Sequence, residues 1–317
     1  MSFLLKIIKN ILFKLCELLF FNKQWNIGIV DKPIYAFLTS NIKSKVRWLP
    51  AQSRNKLISD PFGIRRGEAV HILFEDYDYR TSKGSISTMS ICRKSLSPSK
   101  TVIDSPYHMS YPYLLEYKNQ IYCVPETQAA QEVSLYKAKE FPNSWVKAAI
   151  LINDFAGVDS TIFQYNALWW LLATDYNDGP YHKLKAWYAP CLFGPWKPHV
   201  ANPVKVDIRS ARPGGTPFMY DGYLYRPSQD CSKDYGSKII LNRVIRLTPT
   251  EFKEEQIAFI EPYKNSPYPE GLHTISNVGD ITLIDGARKV FIIRNLSVLL
   301  KKLYNKIVEI KQNKKWH

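Results

Sequence analysis

A chain of 317 residues with 45% hydrophobic and 22% charged side chains has the make-up of an ordinary folded protein, and it holds no uninterrupted apolar run of the roughly 18 residues that a spanning helix needs. The net charge of +15 would suit nucleic acid or anionic lipid, but more than half of the excess sits at the two ends, and the middle shows no finger, recognition-helix or RNA-binding signature, which excludes nucleic acid as a partner. Five cysteines, Cys16, Cys92, Cys123, Cys191 and Cys231, are odd in number and form no CxxC pair, arguing against a disulfide framework or structural zinc and for a reducing compartment.

Residues 1–23 predict an amphipathic basic helix. Lys6, Lys9, Asn10, Lys14 and Glu17 recur at steps of three or four and form one polar stripe among Leu, Ile and Phe. The lysines interrupt the apolar run and no small-x-small cleavage site follows, so export is not expected. Residues 295–317 predict a second such helix, with Leu296, Leu299, Leu300, Leu303, Ile307 and Ile310 opposite Lys301, Lys302, Lys306 and Lys311. These helices either cover an edge of the fold or lie in the interface of an anionic membrane, cations toward the headgroups.

Between them, over residues 24–294, one phrase recurs at intervals of about 50 residues, the length of a four-stranded propeller blade. It reads SDPFGIRRGEAVHILFED from Ser59, SYPYLLEYKNQIYCVPET from Ser110, DSTIFQYNALWWLLATD from Asp159, GTPFMYDGYLYRPSQD from Gly215 and, more weakly, HTISNVGDITLIDGA from His273. Further period-two strands such as SISTMSI, EVSLYKA and HKLKAWYA follow the phrases, and Lys118-Asn119, Asp221-Gly222 and Gly279-Asp280 stand where hairpins should reverse. The alternative is a β-sandwich with irregular loops; the even spacing favours an all-β, five-bladed β-propeller. WNIGIV, at Trp25 to Val30, could complete the last blade and close the ring.

In a propeller the start of each innermost strand and the end of the next share one rim. Strand starts bring Asp60, Tyr111, Asp159, Arg212 and His273 there, and strand ends bring Glu75, Asp76, Glu126, Asp175, Arg226, Gln229 and Asp230. Paired carboxylates suit acid-base or nucleophilic work at an anomeric carbon, cations suit phosphate, and aromatics such as Tyr111, Trp169, Trp170, Tyr225 and Tyr235 offer stacking faces. Structural roles compete with each of these. Asp60 before Pro61 and Asp159 before Ser160 could be turn residues, and Glu126 could face solvent. Arg212, Arg226, Gln229 and Asp230 could pin the fourth blade, the tryptophans could pack blades, and His273 could be structural. No second His or Cys lies at a ligand spacing, so no metal is expected, and no cofactor.

The motifs SDPF, ILFEDYDYRTSKGSIS, SYPYLLEYKNQIYCVPET, DSTIF, RPSQDCSKDYGSKI and GLHTIS, in that order, resemble the family named for the N-terminal domain of glucosamine inositolphosphorylceramide transferase, found in plants and in bacterial glycan-biosynthesis proteins. The resemblance spans roughly residues 48 to 286. It implies a five-bladed propeller similar to the arabinanase, levansucrase and invertase superfamily, whose glycoside hydrolases use an Asp on the first blade, an Asp on the third and a Glu on the fourth. Asp60 would then be the base or nucleophile and Asp159 the modulating acid. The fourth blade, beginning ARPGGTPF, offers no Glu, so Glu126 or Asp230 would have to replace it. An Arg-rich fourth blade fits a sugar phosphate or nucleotide sugar. The transferase domain that the plant protein carries beyond its propeller is expected to have no counterpart here.

The resulting expectation is a cytoplasmic enzyme, peripheral on the inner face of a membrane, that transfers or processes sugar units in surface polysaccharide or glycolipid assembly. Asp60, Glu126 and Asp159 would surround the reacting carbon, with Asp76, Tyr111, Arg212, Arg226, Gln229, Asp230, Tyr235 and His273 binding a sugar, nucleotide sugar or glycan. Two alternatives stand beside it: a glycoside hydrolase resembling glycoside hydrolase family 43, and a non-catalytic carbohydrate-binding module that serves a partner glycosyltransferase.

Overall fold

The turn dipeptides reverse the chain as expected in the computed structural model, which describes residues 21–39, 44–93 and 95–292. Lys118 and Asn119, at φ 49° and 58°, join the strands Ser110–Tyr117 and Gln120–Glu126, and Asp221 and Gly222, at φ 48° and 76°, join Phe218–Tyr220 and Tyr223–Asp230. Positive φ at both central residues gives a two-residue turn whose twist matches that of the strands it connects.

Residues 25–287 form one unit, in which the hairpins stack into five antiparallel sheets. The first blade runs from the inner strand Lys56–Arg66 through Ala69–Asp78 to Lys83–Cys92, with Ser95–Leu96 and Lys100–Ile103 outside. The second comprises Ser110–Tyr117, Gln120–Glu126, Glu132–Glu140 and Ser144–Asn153, and the third is built on Gly157–Tyr165, Leu168–Asp175 and Lys183–Ala189. The fourth comprises Phe218–Tyr220, Tyr223–Asp230, Lys238–Leu247 and Phe252–Ile260. In the fifth, Ile275–Val278 and Ile281–Phe291 are completed by Phe21–Val30 and Val46–Trp48 from the other end of the chain. The expected propeller is therefore present, closed by the strand that contains Trp25 to Val30.

Apolar burial is divided among wedges between neighbouring blades. Leu73, Ile86, Met109 and Cys123 fill the wedge between the first and second, and Tyr113, Val124, Leu171 and Trp187 that between the second and third. Phe163, Trp170, Leu224 and Val244 join the third to the fourth, Tyr225, Leu241, Ile275 and Ile284 the fourth to the fifth, and Ile27, Leu283, Ile72 and Phe74 the fifth to the first. Trp169 and Trp170 belong to these wedges, so they pack blades and offer no stacking face.

The described ends, residues 21–24 and 288–292, fall in a second unit, where the Phe21 and Phe291 rings meet edge-on at 5.6 Å and the Arg288 guanidinium donates to Gln24 Oε1 at 3.0 and 2.7 Å. Phe21, Asn22 and Lys23, expected to end an amphipathic helix, instead open the strand Phe21–Val30, because the strand Ile281–Phe291 offers their main chain a ladder to pair with. The rest of that helix, and the helix expected at 295–317, lie outside the described residues. Among the described residues the only helical segments are the short 3-10 turns Ile34–Leu38 and Gln128–Ala130, and no helix is long and apolar enough to cross a membrane.

One buried ion pair fixes the fourth blade. Arg226, 1% exposed, donates through Nε and NH2 to the two Glu254 oxygens at 2.8 and 2.5 Å, and its guanidinium also reaches the Ser210 and Ala211 carbonyls at 2.5 and 3.3 Å. Removing one member of such a pair strands the other charge in a medium that cannot solvate it. Glu254→Ala should therefore lower the free energy of unfolding by about 3–5 kcal/mol, read as a shift of the urea midpoint at unchanged slope.

Candidate active site at the mouth of the propeller

Strict alternation along a strand would hide half of its side chains from the propeller axis, and three inner strands break it at the same place. Ser59 pairs with Glu75 and Phe62 with Leu73, leaving two residues opposite one. The same slip separates the Ser110–Glu126 and Tyr113–Val124 pairs, and the Val158–Thr174 and Thr161–Leu172 pairs. The first extra residue of each bulge is left-handed: Asp60 at φ 51°, Tyr111 at 44° and Asp159 at 51°. A bulge re-aims the side chain it carries, and holding a non-glycine residue there costs about 1–3 kcal/mol.

Asp60, Glu126 and Asp159, from three different blades, line one cavity of about 240 Å³ together with Ser59, Glu75, Tyr77, Tyr79, His108, Ser110, Arg212, Tyr235, His273, Trp25 and Leu57. A second cavity of about 180 Å³ shares Glu126, Arg212 and Tyr235 with it and adds Tyr176, Pro180 and Tyr181.

Asp159 is anchored on three sides. Its Oδ2 accepts Arg212 Nε at 2.7 Å and Gln229 Nε2 at 2.6 Å, and its main-chain N–H donates to Glu126 Oε2 at 3.1 Å. Arg212 is in turn held between the Tyr181 and Tyr235 rings, its guanidinium carbon 5.4 and 5.0 Å from their centroids. Asp60 has an equivalent support. Its N–H donates to Asp285 Oδ2 at 3.3 Å and its Oδ1 accepts the Thr274 hydroxyl at 2.6 Å.

His273 Nδ1 lies 2.5 Å from Asp285 Oδ2 and 3.8 Å from Asp60 Oδ1, and its ring stacks on Trp25 at 3.9 Å and 11°. Asp60, His273 and Asp285 thus bring three potential metal-ligand atoms within 4.8 Å of one another. Those atoms are already spent on each other: Nδ1 to Oδ2 is a hydrogen-bond separation, and Asp285 Oδ1 accepts the His273 and Thr274 N–H groups at 2.9 and 3.0 Å. The set works as a hydrogen-bonded network that positions Asp60.

Burial dominates the acidity of the cavity. It pushes Asp60 up to about 6, with the His273 charge opposing and the Asp159 charge adding to the shift. It pushes Glu75 up to about 8, helped by the Asp60 charge, and Glu126 well above the ordinary carboxylate range, helped by Asp159. For His273 burial acts downward, but Asp285 and Asp60 outweigh it and raise the pKa. Near neutral pH the mouth thus holds a protonated Glu75 beside an Asp60 that is largely ionised.

Several expected ligand-binding residues lie elsewhere. Asp76 is one step out of phase with Glu75 on the same strand; it faces a separate groove with Asp78, Thr81 and Lys83, where Lys56 approaches it at 3.4 Å. Arg226 is the buried partner of Glu254 and steadies the loop before Arg212. Gln229 touches the cavity only through Asp159, its second bond going to the Pro213 carbonyl at 2.8 Å. Asp230 accepts the Ser232 N–H at 2.9 Å and faces Lys238 at 3.8 Å, away from the cavity lining. Tyr111 is fully buried; its hydroxyl accepts the Gly215 N–H at 2.8 Å and bonds Thr161 at 3.0 Å, tying the second, third and fourth blades together. Tyr235 and His273 do line the mouth. Glu75 stands on the rim predicted from sequence but without a role there, although Ser59 and Ser110 occupy matching places before the two bulges and make it the counterpart of Glu126; His108, Tyr77, Tyr79, Trp25 and Tyr181 are additions from the structure.

Residues 43–271 match the family described as glucosamine inositolphosphorylceramide transferase 1, N-terminal. The chain is 36% identical over 211 residues to glucosamine inositolphosphorylceramide transferase 1 of Oryza sativa subsp. japonica, covering 63% of this chain and 28% of that protein. It is 32% identical over 212 residues to the Arabidopsis thaliana protein of the same name, covering 65% and 28%; the chain thus spans well under a third of these curated relatives. Among solved structures, the chain is similar to a family 117 glycoside hydrolase from Zobellia galactanivorans, with TM-score 0.54, 13% identity and coverage of 85% of this chain and 91% of that one. It is also similar to an alpha-L-arabinofuranosidase from Podospora anserina in complex with cellotriose, with TM-score 0.56, 9% identity and coverage of 73% and 81%. At these identities the likeness establishes the fold.

The raised carboxyl pKa values make stability depend on pH with a definite sign. A carboxyl group whose folded pKa lies above its unfolded value binds its proton more tightly when folded. Its contribution is complete below the ordinary values of 3.8 and 4.5 and is lost as pH rises through about 6 for Asp60 and about 8 for Glu75. The melting temperature should therefore fall from about pH 5 to about pH 9, and Glu75→Gln should remove the upper part of that fall in a calorimetric pH series.

Proposed function

Because the chain belongs to the family of the glucosamine inositolphosphorylceramide transferase 1 N-terminal domain, we propose that its propeller mouth binds a carbohydrate and acts on a glycosidic bond. The observation that carries this reading is the convergence of Asp60, Glu126 and Asp159 from three blades on a cavity walled by Tyr77, Tyr79, Tyr235 and Trp25. Protonated and ionised carboxyl groups side by side are what acid-base chemistry at an anomeric carbon requires, and aromatic walls suit the apolar faces of sugar rings. Asp60 is the base or nucleophile on this reading. Asp159, committed to Arg212 and Gln229, holds the local charge and orients its neighbours.

The ligand is a neutral glycan rather than a nucleotide sugar. Arg212 is engaged by Asp159 and Arg226 by Glu254, so the two arginines of the fourth blade that would recognise phosphate are already neutralised. The ionised Asp60 carboxylate would repel a diphosphate. The lysine-rich sequences at the two ends support contact with an anionic lipid surface on the cytoplasmic side, and with it a role in surface polysaccharide or glycolipid assembly.

A second reading is a binding module that presents a glycan to a partner transferase, favoured by the tight pairing of Asp159 with Arg212. A glycan array followed by mass spectrometry of the bound glycans, alone and with acceptor sugars, separates the two. Wild type should bind neutral glycans and convert them, and Asp60→Asn should reduce conversion at least about 100-fold. Binding with no conversion under any condition supports the module, and absence of glycan binding removes both readings.

A further inference from the structure

Besides Asp60, four carboxyl groups belong to the mouth and its support, and three of them are occupied by the fold. Glu126 accepts the Asp159 N–H, Asp285 accepts three main-chain N–H groups, and Asp159 holds Arg212 and Gln229. Glu75 differs. It lines the cavity, is 8% exposed, and among the described residues accepts no main-chain N–H. Its Oε2 takes the Ser59 hydroxyl at 2.6 Å, and its Oε1 faces His108 Nε2 at 3.6 Å.

The His108 ring is oriented by a separate bond. Its Nδ1 accepts the Gly84 N–H at 2.9 Å, which places the ring proton on Nε2, the nitrogen that faces Glu75, while burial lowers the imidazole pKa and keeps the ring neutral. Gly84 leaves room for this arrangement. A Cβ there would stand 2.8 Å from both Glu75 Oε1 and His108 Cε1. The remaining charged groups facing Glu75 are Asp60, Asp159 and His273; the two aspartates favour its protonated form and His273 opposes it.

Resting on the reading of the mouth as a glycan-processing site, we propose that Glu75, positioned by Ser59 and by the neutral imidazole of His108, is the proton donor of this site. In the step it serves, the bond between the anomeric carbon and the departing oxygen breaks with both electrons going to oxygen, and that oxygen takes the Glu75 proton. A water or sugar hydroxyl bonds to the anomeric carbon and gives its proton to the Asp60 carboxylate. Exchange of one proton with solvent at each residue restores the starting state.

Two measurements on the full chain test the assignment. The first follows the side-chain carboxyl carbons of ¹³C-labelled glutamate by NMR across the pH range, in wild type and in Glu75→Gln, whose amide mimics the protonated acid. A resonance with its midpoint near pH 8 that is missing from the variant is expected; a Glu75 midpoint in the ordinary carboxylate range overturns the proposal. The second compares methyl and 2,4-dinitrophenyl glycosides of the sugars found on the glycan array. Glu75→Gln should lose at least about 100-fold on the methyl glycosides, which need a proton on the departing oxygen, and far less on the dinitrophenyl ones, which do not. Equal losses on both overturn the donor role. Glycan binding without turnover of any glycoside by wild type also overturns it while leaving the binding reading intact, whereas failure to bind any glycan removes the reading on which it rests.

Discussion

The left-handed bulge at the head of three inner strands is the constraint from which the site follows. A β-strand alternates its side chains, and an uninterrupted strand beginning at Ser59 or Val158 would not aim the next residue at the axis in this way. By inserting a residue at positive φ, the chain turns Asp60 and Asp159 into the mouth and presents their N–H groups to carboxylates of the preceding blades, Asp285 and Glu126. The tyrosine at the same place in the second blade, Tyr111, has no such acid to offer and ties blades together instead. One backbone device thus yields two carboxylates and one strut. Strain held in place by surrounding structure is characteristic of sites where side-chain direction matters more than local stability.

Electrostatics then sorts the acids. So many carboxyl groups in one poorly solvated cavity cannot all ionise, and the fold decides which do by distributing donors unequally. Asp159 receives a guanidinium and an amide, and Asp60 receives a hydroxyl and the nearby His273. Glu75 receives one hydroxyl and a neutral ring. Between Asp60 and Glu75 the unequal supply is a difference in acidity, and it divides residues of nearly identical chemistry into different roles.

The ring and its polarity were readable because the repeat carries its own punctuation: five phrases, turn dipeptides at the hairpins, and a spare strand near the beginning of the chain. Asp60 and Asp159 were readable as strand heads for the same reason. Asp76 was chosen over Glu75 because two adjacent acids at a strand end differ only in phase, and phase depends on a bulge on the partner strand that composition does not announce. The fourth blade misled for another reason. Arg226 looks like a ligand-binding cation until Glu254, on a different strand of that blade, is seen to neutralise it, and a pair 28 positions apart leaves no local pattern. His108 lies in a connecting segment outside every repeat phrase, where only the Gly84 N–H reveals its tautomer.

Closing the last blade with a strand from the opposite end of the chain has a temporal side. The Thr282 hydroxyl bonds the Lys32 carbonyl across 250 positions, and such contacts form only after a costly loop has closed. During synthesis the segment around Trp25 to Val30 emerges before the other four blades and must wait, with an unpaired edge, until its partner strand Ile281–Phe291 has been translated. High contact order of this kind slows folding and lengthens exposure to wrong pairings. Until that last register locks, Asp60 and its support Asp285 belong to separate ends of an open sheet stack, so the mouth matures in the final step of assembly.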